Sequence, residues 1–197
     1  MEKSKEIKSR LAQFKTLTEK QKFREFQFCL LTPQSNAQRC WQAVEEISKI
    51  KNPSLLQIRN ILKTKTRFHN TKAKRVYNSK KEFSKISPSL SNLAVWGGCN
   101  IISLRNSLAK TVDGYGLKEA SHFLRNVGLS NNQIAILDRH ILKNLYALGL
   151  LQEAKIKSQK HYLEIEQIFL AFAGRMRIPA DELDLHWWSQ ENGKVFK

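Results

Sequence analysis

The stretch that decides the fold runs from residue 107 to residue 124 and reads SLAKTVDGYGLKEASHFL. Its centre, Gly114-Tyr115-Gly116, is a Gly-x-Gly turn, and the residues on either side have the apolar spacing of amphipathic helices. Glycine supplies backbone angles that other residues avoid, and it leaves a surface without a Cβ atom. The sequence therefore predicts two helices joined by a tight turn, over about residues 100–127, which we term the hairpin.

The charge of the chain is unbalanced and indicates a polyanionic partner. Its 197 residues contain 34 Lys and Arg against 17 Asp and Glu, a formal net charge of +17. A chain of this charge repels itself unless a polyanion lies nearby, and nucleic acid is the commonest such partner. Residues 61–85 concentrate the charge, with nine basic residues and one acidic residue. The basic residues are Lys63, Lys65, Arg67, Lys72, Lys74, Arg75, Lys80, Lys81 and Lys85.

The start of the second hairpin helix offers a binding site for an anion. The first N–H groups of a helix have no partner within the helix, and they point outward, where they can hold a phosphate. A Gly-x-Gly sequence between helices is usually only a turn. Because this chain is so basic, we predict that Gly114 and Gly116 contact a DNA backbone.

Composition excludes several classes of protein. Hydrophobic residues make up 41% and charged residues 26% of the chain, as in ordinary globular proteins, so a disordered chain is not expected. No apolar run approaches the ~20 residues of a membrane span, and the start of the chain lacks the apolar region of a secretory signal. Cys29, Cys40 and Cys99 fit neither a disulfide framework nor a metal clip. We expect a cytoplasmic monomer without membrane contacts.

The apolar spacing is helical along almost the whole chain. Nowhere do β-branched residues alternate over four or more positions, so nothing supports a sheet. The sequence predicts an all-α protein, with residues 1–197 as a single domain. Examples of the helical spacing are Phe23, Phe26 and Leu30, then Cys40, Val44 and Ile47, and later Ile134, Leu137, Ile141, Leu145 and Leu148.

Proline and glycine residues divide these helical stretches. We expect Ser35 to cap the helix that follows the first break, and further helices to restart at Ser54 and at Ser87-Pro88-Ser89. Trp96-Gly97-Gly98 predicts a loop. The first 20 residues are rich in Lys and Glu and predict an exposed helix.

Two residues near the hairpin have the chemistry of an enzyme. Lys118 is either a solvated surface lysine or a nucleophile: a helix N-terminus repels a cation and favours the neutral amine that forms a Schiff base. Asp138 interrupts an apolar run, where an unpaired carboxylate is costly. It caps a helix, pairs with a cation such as Arg139, or meets Lys118 in one cleft. In the cleft it would act as a base or stabilise positive charge on a sugar.

Residues 114–128 (GYGLKEASHFLRNVG), followed by residues 135–142 (AILDRHIL), closely resemble a known family. It is the compact, second family of 8-oxoguanine DNA glycosylase/AP lyases, in the helix-hairpin-helix glycosylase superfamily. The resemblance extends over roughly residues 23–197, and the loop at 129–133 is slightly longer than is usual there. It implies two helical subdomains with a catalytic cleft between them, Lys118 as the catalytic lysine and Asp138 as the catalytic aspartate.

The reaction implied by the resemblance removes 8-oxoguanine from duplex DNA and nicks the strand, as in base excision repair. The nucleotide must leave the duplex, because its C1′ atom cannot be reached inside the helix. Lys118 attacks C1′ and expels the base, while Asp138 stabilises the oxocarbenium-like sugar. The Schiff base then acidifies the C2′ proton, and β-elimination cuts the strand. The reaction needs no metal or other cofactor.

Recognition of 8-oxoguanine requires an acceptor for its N7–H group, which guanine lacks. The resemblance assigns this contact to Lys197, the last residue of the sequence, whose terminal carboxylate can accept from N7–H. It also assigns Phe68 and Trp188 as aromatic walls around the base. Only one of the neighbours Trp187 and Trp188 can face the pocket, and the other is expected in the core.

Four further residues lie close to the candidates. Gln34 and Ser35, after a helix break, are possible lining residues of the base pocket, although capping explains Ser35 equally well. His122 and His140 are expected to be packed helix residues rather than catalysts. Two histidines without a clustered acid or thiol do not form a metal site.

Two alternative functions remain at this point. A non-enzymatic hairpin module that only binds DNA would keep the glycines and the basic face, but it has no use for Lys118 and Asp138 together. A glycosylase for another oxidised base, such as an endonuclease III-like enzyme, usually carries four cysteines in a C-terminal iron–sulfur loop. This chain has no cysteine after Cys99.

Overall fold

The protein is built from helices in the part of the chain that the structure describes. The structure is a computed structural model that describes residues 2–96 and 100–197, and within those ranges it contains ten helices and no strand. The all-α prediction is therefore confirmed. The helices are α1 (Glu2–Lys15), α2 (Glu19–Leu31), α3 (Ala37–Ser48), α4 (Leu55–Lys63), α5 (His69–Trp96), α6 (Ile101–Thr111), α7 (Leu117–Asn126), α8 (Arg139–Ala147), α9 (Gln159–Arg175) and α10 (Ala180–Asn192).

The helices bury two large apolar clusters, and the hairpin joins them. The first cluster takes its side chains from α2 to α7 and includes Phe26 and Phe123. The second is built mainly from α8, α9 and α10 and includes Leu145 and Phe169. Helix α7 contributes to both, because Leu117 at its start lies in the second cluster. This arrangement agrees with the two helical subdomains predicted for the fold.

The cap of α3 differs from the prediction. Asn36, not Ser35, caps this helix, and its side chain accepts from the backbone N–H of Arg39 at 3.0 Å. Asparagine and serine are equally good caps, so neighbouring candidates are hard to separate by sequence. The Ser35 hydroxyl instead accepts from the Lys72 ammonium at 2.8 Å and from the backbone N–H of Arg67 at 2.9 Å. The restart predicted at residues 52–54 is confirmed, since α4 begins at Leu55, with Ser54 as its cap.

Helix α5 passes through Pro88, where the sequence predicted a new start. Proline removes one backbone hydrogen bond and clashes with the carbonyl one turn earlier, which usually ends or kinks a helix. Here Phe83 and Leu90, on either side of the proline, are both buried in the first cluster. Their packing holds one continuous helix from His69 to Trp96. Of the predicted loop at Trp96-Gly97-Gly98, the two glycines lie outside the described residues.

Helix α1 is not the exposed helix that its composition predicted. Ile7 and Phe14 are each only 2% exposed, and the helix packs against α10 and α7. These residues are seven positions apart, which places them on one helix face two turns apart. A face of so few apolar residues among many lysines gives little periodic signal. None of the described helices combines the length and the apolar character that crossing a bilayer requires.

The packing of α1 against the loop at Gly128 can be tested by comparing two glycines. Gly128 and Gly149 have nearly equal backbone angles, φ +73° and φ +71°. Alanine carries left-handed strain of about 1–2 kcal/mol at either position. A Cβ atom at Gly128 would also lie 2.7 Å from Cα of Lys15, whereas one at Gly149 meets nothing within 4 Å. We expect Gly128→Ala to cost about 1–3 kcal/mol more than Gly149→Ala in urea unfolding. Equal losses would show that α1 does not pack on this loop.

Candidate active site

The hairpin turn is held in place from α5. Gly114 adopts φ +95°, a left-handed angle that favours glycine, and a Cβ atom there would lie 2.6 Å from Cδ of Arg75. The Arg75 guanidinium in turn pairs with Asp113 at 3.1 Å. Gly116 has an ordinary extended backbone, and its N–H donates to the Glu119 carboxylate at 3.1 Å. Of the two glycines, Gly114 is thus the one whose backbone angle requires glycine.

Lys118 lies in the first turn of α7, directly after this turn. Its side chain is 27% exposed, and its ammonium pairs with the Glu119 carboxylate at 2.8 Å. Among the described residues, no ion pair joins Lys118 to Asp138. Glu119 is a partner that sequence reasoning missed, although its position in a first helical turn is typical of an acidic residue. The lysine is therefore a partly enclosed and paired group, not a freely solvated one.

Asp138 caps α8, which is one of the alternatives left open by the sequence. Its Oδ1 accepts from the backbone N–H groups of His140 at 2.8 Å and Ile141 at 3.0 Å. Its charge also acts on the buried Asp184, which pairs with Arg125 at 3.3 Å. Burial raises the pKa of Asp184 to about 7, Arg125 opposes the rise, and the negative charge of Asp138 adds to it. Asp138 as a whole is half-buried.

The two catalytic candidates border the same apolar cluster. Lys118 follows Leu117 and Asp138 follows Leu137, and both leucines are buried in the second cluster. A cleft of about 400 Å³ opens beside Gly116 and Leu117, and residues 156–159 and Tyr162 also line it. Its lining includes neither Lys118 nor Asp138, so this cleft adjoins the hairpin without being the meeting point of the two side chains.

Lys197 is anchored in the interior. It is 7% exposed, its ammonium pairs with the carboxylate of Glu25, and that ammonium lies 3.1 Å from the ring centre of Trp41. Glu25 also accepts from the side-chain amide of Asn126 at 2.8 Å. Burial lowers the pKa of Lys197, and Glu25 acts in the opposite direction. Sequence reasoning missed Glu25, Trp41 and Asn126, because residues so far apart in the chain give no joint signal.

Lys118 and Lys197 both act electrostatically on Cys29 in α2 and on His122 in α7. Burial raises the pKa of Cys29 well above its usual value, and the positive charges of both lysines oppose that rise. Burial lowers the pKa of His122, and the same two charges lower it further. His122 is therefore a neutral, packed residue, as predicted, with its ring 5.5 Å from Phe28. The amine and the anchored lysine thus border one region of the protein.

The aromatic candidates occupy different environments. Phe68, which directly precedes α5, is 56% exposed, has φ +56°, and has the Arg67 guanidinium 5.5 Å from its ring centre. Trp187 is the core member of its pair, since it packs in the second cluster. Trp188 is half-buried, and its ring centre lies 6.1 Å from that of Phe196. Trp188 therefore faces the segment that ends in Lys197.

The remaining candidates have structural partners. His140 contacts the side chain of Arg139 at 3.2 Å and lies 3.9 Å from Glu191. Gln34 is exposed in a left-handed backbone angle of φ +53°. Ser35 is occupied by Lys72, whose ammonium also donates to the carbonyls of Leu31 and Pro33, each at 2.7 Å.

The basic stretch 61–85 forms an exposed face on α4 and α5, with some members already paired. Lys65 pairs with Glu46 at 3.0 Å, and Arg75 is bound to Asp113. Lys72 is buried, and burial lowers its pKa to about 8. The residues that remain exposed are Lys63, Arg67, Lys74, Lys80, Lys81 and Lys85.

Comparison with known proteins gives one consistent result. The sequence model of a family described as 8-oxoguanine DNA glycosylase matches residues 7–178. A protein of Fusobacterium nucleatum subsp. nucleatum, named 8-oxoguanine DNA glycosylase/AP lyase, is 38% identical over 100% of this chain and 93% of its own length. One of the same name from Saccharolobus solfataricus is 34% identical over 89% of this chain and 84% of its own.

Solved structures agree with the sequence relatives. The crystal structure of Methanocaldococcus jannaschii 8-oxoguanine glycosylase/lyase, in complex with a 15mer DNA containing 8-oxoguanine, superimposes with a TM-score of 0.83. It is 31% identical and covers 97% of this chain and 91% of that one. The 8-oxoguanine DNA glycosylase of Thermotoga maritima also gives a TM-score of 0.83, at 32% identity and the same coverage. The resemblance seen in the sequence is confirmed, and the chain belongs to the 8-oxoguanine DNA glycosylase family.

Proposed function

We propose that this protein is a bifunctional 8-oxoguanine DNA glycosylase/AP lyase that acts in base excision repair. The observation that carries the proposal is Lys118, a partly enclosed amine in the first turn of α7, directly after the Gly-x-Gly turn. A helix start binds phosphate, and an amine beside it can reach the sugar of a bound nucleotide. The activities named for the relatives are the two that such an amine supports.

Lys118 is the nucleophile in this proposal. The amine gives up the proton that it shares with Glu119, and its nitrogen then attacks C1′ of an extruded nucleotide. The Nζ–C1′ bond forms while the bond from C1′ to the base breaks. The base leaves with that electron pair and takes up a proton lost by the nitrogen. The sugar ring then opens: the C1′–O4′ bond breaks, O4′ takes up a proton, and C1′ forms a Schiff base with Nζ. The Schiff base acidifies the C2′ hydrogen, so β-elimination removes that proton, expels the 3′ phosphate and breaks the strand on the 3′ side.

Asp138 stabilises the positive charge that develops on the sugar. Its Oδ1 is fixed by two backbone N–H groups at 2.8 and 3.0 Å, which hold the carboxylate in one orientation before substrate arrives. Asp138 is half-buried, so solvent screens its charge less than that of a fully exposed carboxylate. A fixed carboxylate in such surroundings stabilises an oxocarbenium-like sugar more strongly than a solvated one would.

Lys197, Phe68 and Trp188 form the base pocket in this proposal. The Lys197 ammonium is already engaged by Glu25 and Trp41, so main-chain oxygens of this residue are left to accept from N7–H of 8-oxoguanine. Trp188 lies beside the same segment, and the exposed ring of Phe68 is available for stacking.

The DNA backbone is held by the hairpin and the basic face. Gly114 and Gly116 bring the start of α7 close to a phosphate, and the exposed lysines of α4 and α5 supply the long-range attraction. We propose that one copy of the chain binds one lesion in duplex DNA, and that it acts in the cytoplasm, where such DNA is found.

Replacing Lys118 with glutamine should abolish the chemistry and spare binding. We expect strand cleavage and borohydride trapping on an 8-oxoguanine duplex to fall by about 10³-fold or more, because no amine remains to form the Schiff base. Duplex affinity should stay within a few-fold. Lys160→Gln is the matched control, since Lys160 loses the same charge from a side chain that is 89% exposed. If Lys118→Gln were trapped on the duplex as efficiently as the wild type, Lys118 would not be the nucleophile.

Replacing Asp138 with asparagine separates capping from catalysis. Asparagine caps a helix as well as aspartate, so thermal stability should be unchanged. Excision of 8-oxoguanine in single-turnover kinetics should slow by about 100-fold or more, because the charge that stabilises the sugar is lost. Trapping on a preformed abasic site should change far less. If Asp138→Asn slowed excision by less than about tenfold, Asp138 would have only its capping role.

Replacing Lys197 with methionine should impair the choice of base. The stem keeps its place on Trp41, but the contact with Glu25 is lost, so the main chain of residue 197 is no longer fixed. We expect the ratio of 8-oxoguanine to guanine excision to fall by about tenfold or more, with duplex affinity nearly unchanged.

The double variant Glu25→Gln/Lys197→Met serves as the companion to this test. It removes both buried charges together, so no uncompensated charge is left in the interior. It should fold at least as well as the single variant and show the same loss of preference. An untouched preference in both variants would exclude Lys197 from the pocket.

A further inference from the structure

A buried, non-helical segment leads into Asp138. Residues 134–137 are all at most 7% exposed, and they lie between α7 and α8 outside any helix. Backbone N–H and C=O groups buried without a helix or sheet need partners from elsewhere. The last turn of the segment is tight, because the N–H of Asp138 donates to the carbonyl of Ile136 at 2.8 Å. Whatever holds this segment therefore also sets the position of Asp138.

Two side chains of α9 hold both main-chain groups of Ala135. The N–H of Ala135 donates to Glu166 Oε1 at 2.8 Å, and the Tyr162 hydroxyl donates to the Ala135 carbonyl at 2.7 Å. The Tyr162 hydroxyl also lies near the Leu137 backbone. Burial and the charge of Glu166 raise the pKa of Tyr162, and hydrogen bonds with the Ser121 side chain and the Leu137 backbone oppose that rise.

The same carboxylate is bound by the hairpin. Glu166, 1% exposed, accepts from both terminal nitrogens of Arg105, 0% exposed, at 2.9 and 3.2 Å. Arg105 lies on α6, and its guanidinium also contacts the Ser121 hydroxyl at 3.4 Å. Ser121 is one turn after Lys118 on α7. A continuous chain of contacts thus runs from the helix of Lys118, through Arg105 and Glu166, to Ala135, three residues before Asp138.

This network is more elaborate than stability requires. A buried ion pair costs desolvation energy that its attraction barely repays, and a packed apolar group of the same volume is often as stable. Such a pair can instead fix the relative positions of the elements that carry it, because the guanidinium binds the carboxylate in one orientation. The two parts whose separation it fixes are α7, held at Ser121 one turn after Lys118, and the segment before α8.

We propose that Arg105, Glu166 and Tyr162 are positioning residues, which fix Asp138 relative to Lys118 for base excision. The proposal rests on the roles assigned above to Lys118 and Asp138. Attack on an intact nucleotide needs the amine and the carboxylate at the same sugar in one transition state, and small misplacements are costly there. Schiff-base formation at an opened abasic sugar needs the amine alone. Loss of the network should therefore slow excision and leave trapping at an abasic site intact.

Tyr162→Phe is the test variant, because it removes one hydroxyl and keeps the packed ring. Replacing Glu166 or Arg105 alone would leave an uncompensated buried charge and risks unfolding the protein. We expect Tyr162→Phe to slow single-turnover excision of 8-oxoguanine by about tenfold or more. Duplex affinity and borohydride trapping on a preformed abasic site should match the wild type.

Ser79→Ala is the matched control, since it also removes one buried hydroxyl. Ser79 lies in α5, is 1% exposed, and accepts from the Gln27 amide at 3.0 Å. It should be destabilised to a similar extent in urea unfolding and excise at the wild-type rate. The decisive measurement adds Tyr162→Phe to Asp138→Asn: if Tyr162 acts through Asp138, the double variant should be no slower than Asp138→Asn.

The outcomes are distinct. The positioning role would be overturned if Tyr162→Phe excised 8-oxoguanine as fast as Ser79→Ala. It would also be overturned if Tyr162→Phe slowed excision by the same factor in the wild type and in Asp138→Asn. In both cases the proposed function would still stand. Normal excision by Asp138→Asn alone would remove the role of Asp138 and this inference with it. Loss of abasic-site trapping by Tyr162→Phe would show a general structural defect and would also overturn the proposal.

Discussion

Helix α7 packs on two apolar clusters at once, and this constraint fixes the rest of the site. Phe123 is buried in the first cluster and Leu117 in the second, so the helix can neither rotate nor slide without exposing one of them. Its first turn, with Lys118, is thereby set at the boundary between the subdomains. An amine on a rigid helix start, as Lys118 is, keeps a fixed position relative to the hairpin, as its proposed role as nucleophile requires.

Buried ion pairs then attach the other elements to α7 or to its immediate neighbours. Each joins residues that are far apart in the chain, and each is almost fully enclosed, so its geometry is better defined than that of a surface pair. Together they secure the segment that ends at residue 197, the segment before Asp138 and the start of α10. The pairs are Lys197 with Glu25, Arg105 with Glu166, and Arg125 with Asp184.

The sequence was sufficient for features that depend on neighbouring residues and insufficient for those that depend on distant ones. Helical spacing, the turn at Gly114 and the cap at Ser54 are local, and the structure contains them. The continuity of α5 through Pro88 depends on packing into the first cluster, which no local rule contains. The roles of Lys118 and Asp138 came from a family pattern. The pairing of Lys118 with Glu119 and the anchoring of Ala135 by Glu166 and Tyr162 required coordinates.

Lys72 has a consequence for how an amine nucleophile is recognised. It is a lysine near the site whose pKa burial lowers to about 8, the kind of shift that is often taken as the mark of a reactive amine. Yet its nitrogen donates to two carbonyls and a hydroxyl at 2.7 to 2.8 Å and is enclosed by the protein. In this protein, the lysine with this lowered pKa is therefore not the lysine that we propose as the nucleophile. Lys72, with its lowered pKa, is a buried tether between α5 and the loop after α2, whereas the proposed nucleophile is Lys118.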